Sequence, residues 1–154
     1  MLFRSVLAHE LGHFKLKHIA KRLTLMLLGS LFFFAALGWL ANQLWFYQGL
    51  GVEPWIDAAN DGLALILFVL VLPVVMLPLT PLANALSRRH EFEADAFAAQ
   101  HTQAADLTRA LVKLYQDNAS TLTPDALYST FYDSHPPALL RIAHLQSGSQ
   151  PQPT

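Results

Sequence analysis

The sequence lacks cysteine altogether and is poor in charged residues. None of its 154 residues is Cys, and Asp, Glu, Lys and Arg together make up only 14%. The absence of cysteine excludes disulfide frameworks and thiolate metal sites, so any zinc must be bound by histidine and carboxylate. The net charge of −1 gives no whole-chain argument for nucleic-acid binding, and no nucleic acid is expected as a partner.

Apolar residues are abundant where charge is missing. They make up 53% of the chain, and the mean hydropathy of +0.33 is too high for an ordinary soluble domain. Residues 23–52 contain no charged side chain, and residues 23–47 are long enough to cross a bilayer as one helix. Residues 63–87 form a second uncharged run, expected to be kinked at Pro73, Pro78 and Pro81. We predict two membrane spans; the alternative is a buried hairpin of core helices.

The charges around the two runs predict their orientation. The connecting loop, residues 48–62, carries acidic side chains and no Lys or Arg. Basic side chains lie on the outer flanks instead, at Lys15, Lys17, Lys21, Arg22, Arg88 and Arg89. By the positive-inside rule the loop is outside and both flanks are cytoplasmic. The expected location is a bacterial inner membrane or the endoplasmic reticulum membrane.

The most informative motif precedes the first run, where residues 9–13 read His-Glu-Leu-Gly-His. On a helix, His9 and His13 project from one face, and two imidazoles at that spacing can bind one zinc ion. Glu10 lies beside them and can act as general base on a water that the zinc activates. Because a bare HExxH pattern also arises by chance, a third ligand from elsewhere must support it.

A candidate third ligand follows the second run directly. Residues 88–96 read Arg-Arg-His-Glu-Phe-Glu-Ala-Asp-Ala, and Glu91 and Asp95 share one helix face. A catalytic zinc takes three protein ligands and leaves one position open, so Glu91 would complete a His2Glu set with the two histidines. Asp95 would then orient a ligand imidazole or move a proton. The alternative is that these acids are only the solvated start of a helix.

The remaining chain is predicted to be structural. Residues 105–116 have the apolar spacing of a packing helix, Thr123 and Pro124 are typical of a helix start, and residues 138–146 form a last helix. Residues 147–154 are rich in Ser, Gln and Pro and are expected to be a disordered tail. Four histidines have no partner at ligand spacing and are interpreted as surface or packing residues: His18, His90, His101 and His144.

Three sequence blocks together resemble the integral-membrane zinc metalloproteases of the type I CAAX prenyl protease family. They are VLAHELGHFKL at residues 6–16, SRRHEFEADAFA at residues 87–98, and LYSTF with SHPP at residues 127–131 and 134–137. The blocks occur in family order, with the two apolar runs between the first and second. The last block favours this branch over its relative, the bacterial heat-shock membrane protease.

The resemblance implies a zinc-dependent endopeptidase with one Zn²⁺ per chain, bound by His9, His13 and Glu91. The sequence without the resemblance favours His135 as a turn residue. The resemblance implies instead that His135 lies near the site and stabilises the tetrahedral intermediate. Arg141 matches an Arg that follows this block in the family. The implied catalytic positions are Glu10, Asp95, His135 and Arg141.

The expected fold is an all-α membrane protein, with a two-span helical hairpin between the HExxH helix and the Glu-x-x-x-Asp helix, followed by short helices. Residues 1–146 are expected to form a membrane-embedded metallopeptidase domain truncated at its N-terminus, because the family has several membrane helices before its HExxH segment. Expected partners are the lipid bilayer, a polypeptide substrate of CAAX or quality-control type, and further N-terminal membrane helices or another subunit. The alternative function is a catalytically silent membrane scaffold or truncated pseudoenzyme.

Overall fold

The structure, a computed structural model, describes residues 2–56, 58–117 and 124–148. These residues form α-helices, one 3-10 turn and loops, without a strand among them. In chain order the elements are α1 (Leu2–Lys15), α2 (His18–Leu40), α3 (Leu44–Gly49), α4 (Asp61–Met76), the 3-10 turn Leu77–Leu79, α5 (Thr80–His101), α6 (Ala104–Asp117), α7 (Ala126–Tyr132) and α8 (Ala138–Gly148). The chain divides into two compact units. The site unit is Met1–Ile19 with Thr80–Thr154, and the hairpin unit is Ala20–Leu79.

The hairpin unit has its own small core at the loop end of its two long helices. Phe46 and Tyr47 of α3 are buried with Ala64 and Leu67 of α4. The Tyr47 hydroxyl donates a hydrogen bond to the carbonyl of Ala41, 2.8 Å away. This core explains why the short helix α3 folds back on the hairpin.

The first span ends earlier than the uncharged run predicts, so the prediction of one helix over residues 23–47 is wrong at its end. Helix α2 stops at Leu40. The Asn42 side-chain amide donates to the carbonyl of Gly38 at 2.8 Å, and that of Gln43 donates to the carbonyl of Trp39 at 3.4 Å. These amides satisfy carbonyls that have lost their helical partners. The polar pair therefore ends the helix within an otherwise apolar run.

Both long helices remain exposed along their apolar faces. Helix α2, described throughout, buries only His18, and α4, described over its whole length, buries only Ala64 and Leu67. In the most apolar 18-residue stretch of His18–Leu40, 0% of the residues are buried. In the corresponding stretch of Asp61–His101, 6% are buried. A core helix of a soluble protein would be mostly buried. The prediction of an all-α membrane fold with a two-span hairpin is therefore confirmed.

The three prolines of the second run occupy different positions in it, and the predicted kink at each of them stays a prediction. Pro73 lies inside α4, and the 3-10 turn Leu77–Leu79 contains Pro78. Pro81 occupies the first turn of α5, where its missing N–H costs no helical hydrogen bond. The chain thus passes from α4 to α5 through a local break instead of one unbroken helix.

The site unit is built around the contact of α1 with α5. Its apolar core comprises five buried residues: Ala8, Ala98, Leu107, Leu111 and Leu145. A Cβ atom built on Gly12 would lie 3.1 Å from the Cα of Ala94, so α1 and α5 approach with almost no room between their backbones. This approach places the face of the HExxH helix directly against the face that carries Glu91 and Asp95.

The short helices follow the expected order with shifted boundaries. The helix predicted over residues 105–116 is α6, and that predicted over 138–146 is α8, two residues longer at its end. The predicted helix start at Pro124 is wrong, and Thr123 lies outside the described residues. Helix α7 instead begins at Ala126, where the Asp125 carboxylate caps it by accepting from the Tyr128 N–H at 2.8 Å. Residues 149–154 of the predicted tail also lie outside the described part.

Candidate metal centre

Three potential ligand side chains converge where α1 meets α5, and each oxygen of Glu91 faces a different histidine. His13 Nε2 lies 3.2 Å from His9 Nε2 and 3.4 Å from Glu91 Oε1, and His9 Nε2 lies 3.6 Å from Glu91 Oε2. In a tetrahedral zinc site with ligand bonds of about 2.0–2.1 Å, neighbouring ligand atoms are about 3.3 Å apart. The His9–His13 distance and the distance from each histidine to one oxygen of Glu91 are close to this value, so the three side chains form a group that could hold a metal ion.

The protonation of His13 also suits a metal. Burial lowers the pKa of His13, and the neighbouring His9 lowers it further. A neutral imidazole is the form that binds a metal ion, because the ligating nitrogen must keep its lone pair. The surroundings of His13 thus favour the ligand form at neutral pH.

Asp95 and Arg141 form a buried ion pair behind this trio. His9 Nδ1 lies 2.9 Å from Asp95 Oδ1, and Arg141 donates to both Asp95 oxygens at 2.6 and 2.7 Å. Arg141 Nη1 also contacts Glu91 Oε2 at 3.1 Å. Burial alone would lower the pKa of Arg141, but its hydrogen bonds to Asp95 and the charges of both carboxylates raise it. Arg141 therefore contacts both Asp95, which lies against His9, and Glu91, the candidate third ligand.

Glu10 points away from this buried network and into an open cavity. Its side chain is exposed, and together with His9, His13 and Glu91 it lines a cavity of about 860 Å³. Much of the remaining lining is apolar, and one part of it, here called the apolar wall, comes from α6 at Leu107, Ala110, Leu111 and Leu114. The same helix also lines the cavity with the charged side chains of Lys113 and Asp117. The cavity thus pairs a polar floor, which holds the candidate ligands, with an apolar wall.

His135 reaches the same site from the loop before α8. Its Nδ1 lies 3.2 Å from Glu91 Oε1, while 67% of its side chain remains exposed. Arg88 of α5 donates to the carbonyl of Asp133 in this loop at 2.7 Å, and Asn84 of α5 donates to the carbonyl of Phe131 at the end of α7 at 2.6 Å, so α5 holds both the loop and the helix before it. The turn position of His135 and its place at the site are therefore compatible.

The structure adds two residues that the sequence interpretation did not place at the site, His18 and Glu93. His18, interpreted as a surface or packing residue without a partner, is buried, as a packing residue would be, but the expectation that it has no partner is wrong. Only 3% of its side chain is exposed; its Nδ1 lies 3.1 Å from His13 Nδ1 and its Nε2 lies 3.0 Å from Glu93 Oε2. His90 stacks on His18 with ring centres 4.1 Å apart, and these two histidines and Glu93 form a second group of potential ligands.

Local backbone geometry explains why spacing alone missed His18. Helix α1 ends at Lys15, and Lys17 adopts a φ of 58°, the left-handed conformation that reverses a chain after a helix. The reversal brings His18, five positions after His13, back against the ligand. A glycine or asparagine at position 17 would have signalled this turn, but a lysine does not.

Comparison with known proteins establishes the family. The family model described as Peptidase family M48 matches residues 3–149. The chain belongs to peptidase family M48. It is 35% identical over 147 residues to the CAAX prenyl protease 1 homologs of Mus musculus and of Homo sapiens, an alignment covering 95% of this chain and 30% of each relative. The predicted resemblance to CAAX prenyl proteases is therefore confirmed.

A solved structure shows the same fold. The crystal structure of S. mikatae Ste24p matches with a TM-score of 0.79 and 29% identity, over 92% of this chain and 35% of that protein. The chain thus spans about a third of the length of the relatives that it matches. Family membership supports a metalloprotease, and the His and Glu trio is a candidate site for its metal.

Proposed function

We propose that this chain carries the metal centre of a membrane-integral zinc endopeptidase, with His9, His13 and Glu91 as the ligands. The observation that carries the proposal is the close grouping of the two imidazoles, 3.2 Å apart, with one oxygen of Glu91 at 3.4 Å from His13 and the other at 3.6 Å from His9, beside a cavity that exposes Glu10. Membership of peptidase family M48 supports the same chemistry. A silent scaffold would have no need to keep this donor geometry and an exposed carboxylate together.

The chain's own side chains divide the catalytic work in this proposal. When bound, zinc polarises a substrate carbonyl and makes water nucleophilic at neutral pH. Glu10 accepts the proton of the attacking water and returns it to the departing amine. His135, at the open edge of the site, donates a hydrogen bond to the oxygen on which negative charge develops.

Asp95 acts as an orienting residue and not as the proton donor. It has no exposed surface, and Arg141 and His9 contact its two oxygens at 2.6–2.9 Å. A carboxylate held in this way favours the His9 orientation in which Nε2 faces Glu91. Arg141 completes the arrangement, because it holds Asp95 and Glu91 at once.

The proposed substrates are membrane-associated polypeptides, of CAAX type in particular. The apolar wall formed by α6 is suited to an apolar segment beside the cleaved bond. The relatives are named CAAX prenyl proteases, and quality-control substrates are the second candidate class. Since the chain spans about a third of their length, further membrane helices or another subunit would complete the enclosure. We place the site on the cytoplasmic side of the membrane, as the flanking Lys and Arg residues indicate.

The test is a Glu10→Gln variant, measured for bound zinc and for peptidase turnover in lipid, with N-terminal membrane helices supplied by fusion. The amide cannot accept the water proton, so turnover should fall by about 10²–10⁴-fold or more while zinc stays near one per chain. Glu53→Gln, an exposed acid of the loop, is the matched control and should be active. Undiminished turnover in Glu10→Gln, or full zinc in both His13→Ala and Glu91→Ala, would contradict the proposal.

A further inference from the structure

The two candidate histidine ligands are each supported at the nitrogen that faces away from the trio, but by different kinds of residue. Behind His9 stands an acid, Asp95, at 2.9 Å from Nδ1. Behind His13 stands another imidazole, because His18 Nδ1 lies 3.1 Å from His13 Nδ1. His18 therefore contacts the trio at His13.

Hydrogen-bond directions follow from the requirement that His13 Nε2 faces the other ligand atoms with a free lone pair. The proton of a neutral His13 ring must then be on Nδ1, so His18 Nδ1 accepts it. An accepting Nδ1 leaves the proton of His18 on Nε2, which donates to Glu93 Oε2 at 3.0 Å. The other oxygen of Glu93 accepts from Arg89 Nε at 2.8 Å. Each hydrogen bond in this series, from His13 through His18 and Glu93 to Arg89, then has a single allowed direction.

We propose that His18 is a positioning residue that fixes the tautomer and ring orientation of His13, with Glu93 fixing His18 in turn. This inference rests on the proposed zinc site. Partners behind ligand imidazoles orient the ring and raise its basicity, and their loss typically weakens metal binding about 10–100-fold. His18 thus has the role toward His13 that Asp95 has toward His9, with a neutral acceptor in place of an anion.

Burial falls along this series of hydrogen bonds from His18 outwards. His18 is 3% exposed, Glu93 is 34% exposed and Arg89 is 76% exposed. A buried imidazole with both nitrogens bonded is held in one orientation, whereas an exposed guanidinium is screened by water. The effect of substitution on zinc affinity should therefore decrease in the order His18, Glu93, Arg89.

The same residues fit a second metal site less well. Ligand rings must aim their nitrogen lone pairs at one point, but the rings of His18 and His90 are nearly parallel, with an angle of 12° between them. Both nitrogens of His18 already face hydrogen-bonding partners, His13 and Glu93. We therefore assign the group to positioning, and a second metal ion is an outcome that the test can detect.

The test compares zinc affinity among substitutions at His18, measured by competition with a chelating dye on the full chain in detergent. His18→Leu removes both hydrogen bonds and should weaken zinc binding about 10–100-fold. His18→Asn offers its Oδ1 in place of the ring Nδ1 and should recover most of this loss. His18→Gln places its amide nearer Glu93 and should behave like His18→Leu. His101→Leu, another histidine of the site unit, is the control and should bind zinc normally.

Each outcome discriminates between explanations. Equal losses in His18→Asn and His18→Leu would reduce His18 to a packing residue and overturn the inference. So would a second zinc ion that disappears in His90→Leu. If His13→Ala removes zinc while His18→Leu binds it as tightly as the natural chain, the positioning role is wrong and the proposed site stands. If His13→Ala retains zinc, the proposed site itself is wrong.

Discussion

The site unit and the hairpin unit differ in the side chains that they bury. The site unit buries charged and polar groups, among them His9, Glu91, Asp95 and Arg141. The hairpin unit buries a few apolar residues near its loop and exposes long apolar side chains along α2 and α4. Buried charges are stable only when they are paired, and exposed apolar helices are stable only in lipid. The stability of the site unit therefore depends on its internal ion pairs, and the stability of the hairpin unit depends on the surrounding lipid.

The largest effect expected from this difference is an all-or-none pattern of chemical labelling. We expect Glu53→Cys, in the loop of the hairpin unit, to react with a membrane-impermeant thiol reagent added on the non-cytoplasmic side of the membrane. Gln100→Cys, near the end of α5, should not react until the membrane is opened. Both positions are exposed and the natural chain has no cysteine, so the background is clean. The reverse pattern would place the site on the outer face.

The second effect is expected from breaking the buried ion pair of the site unit. Arg141→Met removes the partner of Asp95 and Glu91 and leaves both carboxylates buried. Loss of one member of a buried pair costs about 3–5 kcal/mol. We expect a large fall in the unfolding midpoint in detergent, followed by circular dichroism, and weaker zinc binding.

The control for Arg141 is an exposed ion pair in the same unit. Arg109, which pairs with Asp106 three positions earlier on α6, is 66% exposed. Arg109→Met should leave the unfolding midpoint unchanged, because water screens such pairs. If both substitutions shift the midpoint equally, burial is not what makes the Arg141 network important.

The parts of the molecule that follow from fixed spacing could be predicted from the sequence. The i, i+4 pairs His9/His13 and Glu91/Asp95 each determine a helix face, and the uncharged runs determine the two spans. The convergence of these two faces depends on the close approach at Gly12, which no local pattern reveals. His18 was missed because Lys17 reverses the chain in a conformation that its residue type does not indicate.

The end of the first span was misplaced for a related reason. Residues 23–47 offer no charge or proline at which a helix must stop. The decisive interactions are the side-chain hydrogen bonds of Asn42 and Gln43 to carbonyls of α2, and the burial of Phe46 and Tyr47. Those aromatics satisfy the composition of an interfacial belt equally well, so hydropathy cannot separate the two arrangements.

The smallest effect expected from the comparison concerns two glycines in helices, one in each unit. A Cβ at Gly12 would lie 3.1 Å from Ala94 Cα and 3.2 Å from both Ala94 O and Phe97 Cδ1, so Gly12→Ala must push α1 and α5 apart. Overpacking of this kind costs about 1–3 kcal/mol, partly offset by the better helix propensity of alanine. We expect a lower unfolding midpoint together with weaker zinc binding, because His9 and His13 would move away from Glu91.

Gly29→Ala in α2 is the matched substitution, since a Cβ there has no neighbour within 4 Å. It gains the same helix propensity without the clash, by at most about 1 kcal/mol, and changes nothing near the site. Unfolding midpoints and zinc affinities of the two variants, measured in one detergent, should therefore shift in opposite directions or differ clearly in size. Suppose that Gly12→Ala were as stable as Gly29→Ala and bound zinc as tightly as the natural chain. The site would then tolerate a wider separation of α1 and α5. The ligand trio would then be assembled by the metal ion itself and not by the packing of the site unit.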